Sequence, residues 1–323
     1  MRRCFWLAVI AIFISPVIYN GQASGSAASY LSRGSQRFAR GDLSGAIDDF
    51  DIALKFDPEW GRAYHNRGLA LYNRGLARKN IADFNRAIED YTKAIKLSPD
   101  FAPAYNDRGN AYKARGDLDL AITDYNKAIE IDQRLATAYN NRGAVFHAKG
   151  DLDRAIEDYN KAIELNPRYA LAYSNRGTAR KARGDMEAAI RDYTLSIESD
   201  PLMAEAYNNR GAVLCAKGDF VSALRDFGRA IEINPRLVEA YSNRGAARAD
   251  ANDLKGALSD YNRAIEIEPR FALAYANRGL VLLLKGRTAE AEADFERCLK
   301  LNARLRPSLE RRIREIKQRT EKQ

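Results

Sequence analysis

The chain has 323 residues, a length that at the usual domain size corresponds to about two domains. Hydrophobic residues make up 46% of the chain and charged residues 29%, which excludes a polypeptide that is disordered by composition. The formal net charge of +9 is modest for this length, so it is compatible with an acidic partner or an anionic surface and indicates neither.

Residues 1–23 have the pattern of a secretory signal peptide. Arg2 and Arg3 provide a charged start, and Cys4–Tyr19 is a run of 16 residues without a charge. This run is shorter than the roughly 20 residues of a membrane-spanning helix, and Pro16 interrupts it. We therefore expect an exported protein, periplasmic or secreted, from which this segment is cleaved. The alternative is an uncleaved segment that anchors the protein in a membrane.

From residue 24 onward the sequence is dominated by one internal repeat. Glycines recur every 34 residues, with a single interval of 41, at positions 34, 68, 109, 143, 177, 211, 245 and 279. This period defines eight repeats within residues 24–305, and a last segment, 306–323, follows them. The repeats span 27–60, 61–101, 102–135, 136–169, 170–203, 204–237, 238–271 and 272–305.

The first half of each repeat has the spacing of an amphipathic helix. In the fourth repeat, Tyr139, Gly143 and Phe146 recur on one helix face. Gly150 is expected to end this helix, because glycine enters the left-handed conformation of a helix C-terminus without a steric cost.

The second half of the repeat predicts another helix. Asp151 is placed to cap it by accepting hydrogen bonds from exposed backbone N–H groups. Pro167 is expected to end it, because the residue before a proline avoids helical geometry. Ala155, Tyr159 and Ala162 lie on the face that turns back toward the first helix. Each repeat is therefore predicted to form a helical hairpin.

This pattern resembles the tetratricopeptide repeat. That family has an aromatic residue at the fourth position of the repeat, glycine at the eighth, alanine at the twentieth, an aromatic residue at the twenty-fourth and proline near the end, and Ala27–Leu305 follows it. The resemblance implies an all-α fold, a right-handed superhelical solenoid of helix-turn-helix repeats. A C-terminal capping helix is expected over 306–323, because Leu309, Ile313 and Ile316 form one apolar stripe among charged residues.

Departures from the pattern carry predictions of their own. The second repeat has seven extra residues between Gly75 and Ala87. Because seven residues make about two helical turns, the apolar faces stay in phase and longer helices are expected. Gln133 and Ala303 replace the expected proline, which predicts less sharply defined ends for the third and eighth repeats.

Two positions carry the same charged residue in all eight repeats. The seventh position is arginine: Arg33, Arg67, Arg108, Arg142, Arg176, Arg210, Arg244 and Arg278. The twenty-third is aspartate: Asp49, Asp90, Asp124, Asp158, Asp192, Asp226, Asp260 and Asp294. Because these positions lie on the two helices of one hairpin, we predict an ion pair across each hairpin. A row of arginines for acidic ligands is less favoured, since a partly buried arginine without its carboxylate would be costly.

The sixth position is asparagine in six repeats: Asn66, Asn141, Asn175, Asn209, Asn243 and Asn277. Asparagine is a poor residue for a helix interior, so its recurrence needs a reason. The resemblance places this position in the concave groove, where an amide can both donate to and accept from the backbone of an extended peptide. Hydrogen bonding between neighbouring repeats is the alternative.

The other groove positions vary, and specificity is expected to depend on them. The first half of the chain contributes basic residues: Arg62, His65, Lys113, His147 and Lys181. Later repeats contribute acidic ones: Glu205, Glu239 and Asp250. Lys113 and Lys181 beside asparagines match the carboxylate clamp of some family members only in part.

The last repeat has an apolar patch: Leu273, Leu280, Leu283 and Leu284. We expect it either to contact a partner or a second copy, through Leu280 and Leu283, or to be covered by the capping helix.

No set of residues in the sequence points to catalysis. Cys215, Cys298 and the two histidines lack metal-ligand spacing, and there is no phosphate loop or nucleophile elbow. We predict a non-enzymatic scaffold or adaptor, without a metal or cofactor, whose partners are proteins or peptides. The alternatives are a membrane-tethered spacer and, less favoured, a nucleic-acid-binding helical repeat protein, because basic residues near the loops alternate with aspartates.

Overall fold

The computed structural model describes residues 26–320, which form helices and connecting turns and no strand. The α-helices are α1 (Ala27–Ala39), α2 (Leu43–Phe56), α3 (Gly61–Arg78), α4 (Ile81–Leu97), α5 (Ala102–Arg115), α6 (Leu118–Ile131), α7 (Ala136–Ala148), α8 (Leu152–Leu165), α9 (Ala170–Arg183), α10 (Met186–Ser199), α11 (Ala204–Ala216), α12 (Phe220–Ile233), α13 (Val238–Asp250), α14 (Leu254–Ile267), α15 (Ala272–Leu284), α16 (Thr288–Leu301) and α17 (Arg306–Thr320). None of these helices is both long enough and apolar enough to cross a lipid bilayer. The predicted signal peptide lies outside the described residues.

The chain divides into two compact units after Pro99. In the shorter unit, α1 pairs with α2 and α3 with α4, and α2 also packs on α3. In the longer unit, five hairpins follow the pair α5–α6, and each second helix packs on the first helix of the next hairpin. The helix α17 packs on α15. Each unit thus has the stacked hairpins of a helical solenoid, and the prediction of an all-α solenoid is confirmed.

The hairpins close through a glycine that lies against an aromatic ring. A Cβ atom on Gly143 would lie 2.9 Å from Cε1 of Tyr159, a distance too short for two carbon atoms. Tyr159 is 1% exposed, and Ala155 and Ala162 are fully buried beside it. Only glycine lets the two helix backbones come this close around a buried ring. The predicted inward face of the second helix is confirmed.

The helix ends of the fourth repeat follow the predicted cap residues. Gly150 has a φ of +81°, the left-handed conformation expected after α7. The Asp151 carboxylate accepts from the backbone N–H of Arg154 at 3.2 Å and so caps α8. That helix ends at Leu165, two residues before Pro167.

Proline is not what defines the end of a repeat. In the third repeat, where Gln133 replaces it, α6 ends at Ile131 and the Asp132 carboxylate accepts from the N–H of Arg134 at 2.9 Å. The same side-chain bond closes the turn at Asn166, where proline is present. The prediction of a poorly defined end was therefore wrong for the third repeat, because the Asx turn supplies the stop. In the eighth repeat, where Ala303 replaces the proline, α16 ends at Leu301 and a 3-10 turn over Ala303–Leu305 leads into α17.

The second repeat has longer helices, as predicted. α3 has 18 residues and α4 has 17, whereas most other repeat helices have 13 or 14. The longer hairpin contains a second ion pair, in which Arg74 Nε and Nη2 donate to Asp83 at 2.9 and 2.6 Å. It also contains a second close contact, in which a Cβ on Gly75 would lie 2.7 Å from the Phe84 ring. The insertion thus duplicates the packing of the hairpin.

Candidate functional site

The first helices of the longer unit form a continuous face. α5, α7, α9, α11, α13 and α15 contact one another in succession. On each of them, positions 2, 6, 9 and 13 of the repeat point away from the eighth-position glycine that packs on the second helix, and positions 5 and 12 flank them. We call the surface made by these positions the inner face.

The seventh-position arginines, which we call the arginine ladder, all make structural contacts. In the fifth repeat, Arg176 Nε and Nη2 donate to Asp192 at 3.0 and 2.7 Å, and Asp192 is 1% exposed. Arg176 Nη1 donates to Asn160 of the preceding repeat at 2.7 Å, and the guanidinium lies 5.5 Å from the centre of the Tyr173 ring. Arg176 therefore ties its hairpin together and joins it to its neighbour, and Arg67, Arg142, Arg210 and Arg278 bond the preceding hairpin in the same way.

All eight repeats have this bidentate pair, so the predicted ion pair across the hairpin is confirmed. The pairs are Arg33–Asp49, Arg67–Asp90, Arg108–Asp124, Arg142–Asp158, Arg176–Asp192, Arg210–Asp226, Arg244–Asp260 and Arg278–Asp294.

Half of the asparagine ladder joins neighbouring repeats. The amide of Asn141 donates to Oδ1 of Asn106 at 3.1 Å, and Asn175 donates in the same way to Asn140 at 2.9 Å. Asn243 donates to Asn208, also at 2.9 Å. In each case the acceptor is the fifth-position asparagine of the preceding repeat. The alternative of inter-repeat hydrogen bonding therefore holds for these three residues, each of which keeps a further amide N–H for a ligand.

The other ladder asparagines stand next to a residue that cannot complete the bond. The fifth position of the preceding repeat lies 35 residues before the ladder asparagine. For Asn209 this residue is Ser174, whose side chain is shorter than that of asparagine, and for Asn66 it is Leu31, which has no side-chain acceptor. Neither amide makes a side-chain hydrogen bond within residues 26–320. The carbonyl of Asn277 accepts from Arg312 of α17 at 2.9 Å. Among the ladder asparagines of the longer unit, Asn209 is thus the one whose whole hydrogen-bonding capacity is open to a ligand within the described residues.

Two lysines on the inner face also lack a protein partner. Lys113 and Lys181 occupy the twelfth position and are half-buried, and neither makes an ion pair or a side-chain hydrogen bond with any described residue. Burial lowers the pKa of Lys113. In contrast, Lys127 and Lys161 on the second helices each bind a glutamate one turn away at 2.7 Å. An unpaired, partly desolvated ammonium group is the kind of cation that an acidic ligand would stabilise.

The capping helix covers much of the leucine patch. Leu280 is 3% exposed and packs in one cluster with Leu309, and Leu283, Ile313 and Ile316 pack against that cluster. Of the two alternatives left open by the sequence, the structure shows the covered one for Leu280, so this side chain is not accessible to a partner. Leu273 and Leu284 remain 47% and 42% exposed.

The charged residues predicted for the variable positions differ in their exposure. Glu205, Glu239 and Asp250 are exposed, and His147 is half-buried. His65 was expected in the groove, but it is 8% exposed and its ring lies 5.7 Å from that of Tyr91. The aromatic contact inside the hairpin explains the burial of this fifth-position histidine.

Cys215 and Cys298 are the cysteines in the part of the chain that the structure describes, and both are free thiols. Cys298 is fully buried in the last hairpin, as expected for a residue in a core alanine position. Burial raises the pKa of the Cys215 and Cys298 thiols, which disfavours the reactive thiolate. Within residues 26–320, no three histidine, cysteine or acidic side chains come together in a group that could hold a metal ion.

Comparison with protein families matches the repeats directly. A family model described as a TPR repeat matches residues 83–114, 109–150 and 247–286. Models described as a tetratricopeptide repeat match residues 31–89, 136–169, 204–237 and 272–304. These matches together span more than half of the chain. No curated protein matches the sequence at a significant level.

Solved structures with the same helical arrangement share little sequence with this chain. A chain of the APC/C hetero-tetramer Cut9-Hcn1 has 19% identity and a TM-score of 0.67, over 88% of this chain and 55% of that chain. A tetratricopeptide repeat protein from Parabacteroides merdae has 19% identity and a TM-score of 0.58, over 79% and 98%. The pilF protein of Pseudomonas aeruginosa has 20% identity and a TM-score of 0.57, over 62% and 92%. At these identities the likeness shows the fold alone.

Proposed function

Because this chain belongs to the tetratricopeptide repeat family, whose members are typically protein–protein interaction scaffolds, we propose that it binds an extended segment of another protein along its inner face. The scaffold is non-enzymatic and uses neither a metal nor a cofactor. The observation that carries the proposal is the contrast between the arginine ladder, in which every guanidinium is paired with an aspartate, and the open groups beside it, which are Lys113, Lys181 and the amide of Asn209.

The open groups suit an extended peptide. An amide side chain can donate to a backbone carbonyl and accept from a backbone N–H, so Asn209 can hold a peptide of any sequence. Small residues at the ninth and thirteenth positions, Ala144, Ala148, Ala212 and Ala216, leave room for the peptide backbone beside these groups. The remaining N–H groups of the bonded asparagines add further contacts.

The charges on the inner face predict the polarity of the segment. Lys113 and Lys181 lie in the third and fifth repeats, whereas Glu205 and Glu239 lie in the sixth and seventh. A segment with acidic residues at one end and basic residues at the other would match both halves in one orientation only. We therefore expect the acidic end to lie on the third to fifth repeats.

Affinity capture from an envelope extract tests this proposal. The mature chain is compared with a variant that combines Lys113→Ala, Lys181→Ala and Asn209→Ala, none of which has a protein partner to lose. We expect the captured partner to fall by about tenfold or more, because two charge contacts and an amide contact are removed together.

The matched control is Lys127→Ala with Lys161→Ala, which removes two cations from the outer helices α6 and α8. Equal capture by the wild type and the control, with loss in the inner-face variant, supports the proposal. A partner that all three proteins retain would move the binding site away from the inner face.

We also propose that the protein is exported, on the basis of the charged start and the uncharged run in residues 1–23. Expression of the full sequence followed by N-terminal sequencing should give a mature chain that begins at Ser24. An intact N-terminus in the membrane fraction would instead indicate the tethered alternative.

A further inference from the structure

A second set of arginines in the longer unit has no partner. The thirty-third position of the repeat, just before each first helix, holds Arg134, Arg168, Arg236, Arg270 and Arg304. All five are exposed. Their guanidinium groups make no ion pair or hydrogen bond with any residue between 26 and 320. This is the opposite of the seventh-position ladder, in which every arginine is held by a buried aspartate.

The turns that carry these arginines are well fixed. In four of the five turns, the side chain two residues earlier accepts from the backbone N–H of the arginine, as at Asn166 for Arg168 at 3.2 Å and at Asn234 for Arg236 at 3.1 Å. At Arg134, Arg168, Arg236 and Arg270, the turn leads directly into a first helix whose N-terminus has no side-chain cap. The partial positive charge of those helix ends adds to the charge of the arginines and favours anions at this edge of the unit. Asp132, Asp200 and Glu268 in the same turns offset part of that charge.

One repeat breaks the row with an apolar residue. Leu202 occupies the thirty-third position of the fifth repeat and is 52% exposed, although its turn has the same geometry, with Asp200 accepting from its N–H at 3.0 Å. The same repeat has Leu195, 38% exposed, at the twenty-sixth position, where the neighbouring repeats have Lys161 and Arg229. The fifth repeat thus presents apolar side chains between two of these arginines on one side and three on the other.

We propose that this surface, which we call the arginine edge (Arg134, Arg168, Leu202, Arg236, Arg270 and Arg304), binds an acidic segment of another protein that has an apolar side chain among its acidic residues. The arginines would pair with carboxylates, for which the planar guanidinium is suited. Leu202 would be covered by the apolar side chain of the partner. A nucleic acid strand is less well matched, because its phosphates would leave the leucine uncovered. The arginine edge is distinct from the inner face.

The repeat spacing sets the spacing of the acidic residues. First helices in direct contact lie about 10 Å apart, so successive arginines are separated by roughly that distance. An extended chain advances about 3.3 Å per residue. Acidic residues at every third position would therefore meet successive arginines, with the apolar residue three positions from the nearest acid on each side.

The probe is a fluorescent peptide of about 13 residues that fits this spacing. It has glutamate at positions 1, 4, 10 and 13, leucine at position 7, and serine and glycine between them. Anisotropy with the mature chain at about 0.15 M salt should show binding with a Kd below about 1 mM. Arg168→Ser with Arg236→Ser should weaken binding by roughly fivefold, and Leu202→Ser should do the same.

The matched control is Arg229→Ser with Arg263→Ser. These arginines are also exposed and their loss changes the net charge equally, but each is already paired with a glutamate in its own helix, Glu232 or Glu266. The inner-face variant of the previous section serves as a second control. Wild-type affinity in both controls supports the proposal and separates it from the function of the inner face.

Three results would overturn the proposal: no binding below about 1 mM, an equal loss in the Arg229→Ser/Arg263→Ser protein, or no effect of Leu202→Ser. A uridine oligonucleotide that binds more tightly than the peptide, and depends on the arginines but not on Leu202, would assign the arginine edge to nucleic acid instead.

Discussion

Arginine takes opposite roles in this protein depending on whether a carboxylate lies within reach. At the seventh position, an aspartate of the same hairpin holds the guanidinium, and in several repeats a polar group of the preceding hairpin also holds it, as Asp192 and Asn160 hold Arg176. At the thirty-third position, Arg168 projects from a fixed turn with no such group nearby. The side chain is the same, so the difference in role comes from the surrounding side chains alone.

Asp192 is a suitable residue for measuring how much the Arg–Asp pairs contribute to the free energy of unfolding. Besides Arg176, it accepts from Arg180 Nη1 at 2.9 Å, and both arginines are less than a quarter exposed. Burial lowers the pKa of Arg180, whereas the Asp192 carboxylate raises it. Asp192→Ala would leave two partly buried cations unpaired, so we expect it to lower the free energy of unfolding by about 3 kcal/mol or more in chemical denaturation.

Asp158→Ala in the preceding repeat is the matched control, because Asp158 is paired with Arg142 alone. It should cost less than Asp192→Ala. Equal losses in the two variants would show that the second arginine adds nothing to the pair.

At the scale of the helical hairpin, the second repeat shows how the fold accepts an insertion. The inserted residues repeat the Arg–Asp pair and the glycine–aromatic contact seven residues nearer the tip of the hairpin on both helices, as Arg74 with Asp83 and Gly75 with Phe84. Each helix gains about one turn, so the faces that meet inside the hairpin stay in phase. Length can therefore be added to the tip of a hairpin without changing its base.

Deletion of residues 76–82 should restore an ordinary repeat. It would join Gly75 directly to Asp83, the same Gly-Asp pair that forms the turn at Gly150 and Asp151. We expect a folded protein with undiminished helicity per residue and cooperative unfolding, measured by circular dichroism, because glycine and aspartate then act as the helix caps.

A deletion of residues 79–81 is the control. Three residues are less than one full turn, so this change moves the apolar faces out of register and should destabilise the hairpin. Similar unfolding curves for the two deletions would contradict the role of helical phase.

At the scale of the whole molecule, each hairpin is stabilised by its contacts with the neighbouring hairpins. In the longer unit each hairpin contacts the next, and the last one is closed by α17, whose Leu309 is 3% exposed. Arg312 of this helix lies 34 residues after Arg278, in register with the arginine ladder. The helix α17 therefore stacks on the last hairpin as the first helix of a further repeat would.

Leu309→Ala should loosen the end of the array while leaving its middle unchanged. Loss of this buried side chain is expected to cost about 2–5 kcal/mol in the last hairpin. Hydrogen exchange should become faster in α15 and α16 and stay the same in α7 and α8, because each repeat depends mainly on its neighbours. Leu284→Ala, at a leucine that is 42% exposed, is the control and should change little. A uniform increase across α5–α16 would instead show that the unit unfolds as one body.

The sequence by itself determined the repeat, the hairpin, its caps and the Arg–Asp pair. These features depend on residues within one period, such as Gly150 and Asp151. Because the pattern occurs eight times, the residues that cap and pair the helices can be identified without ambiguity. The absence of proline at Gln133 led to a wrong prediction for the end of the third repeat, because the neighbouring Asp132 closes the turn without it.

Only the tertiary structure decided which side chains are left open for a partner. Whether an asparagine of the ladder is free depends on the residue 35 positions earlier, as the contrast between Asn175 on Asn140 and Asn209 beside Ser174 shows. The burial of Leu280 depends on α17, a helix beyond the repeats. Leu202 is exposed because no other element within residues 26–320 covers its turn. These contacts join one period to the next, so a pattern defined within a single period does not contain them.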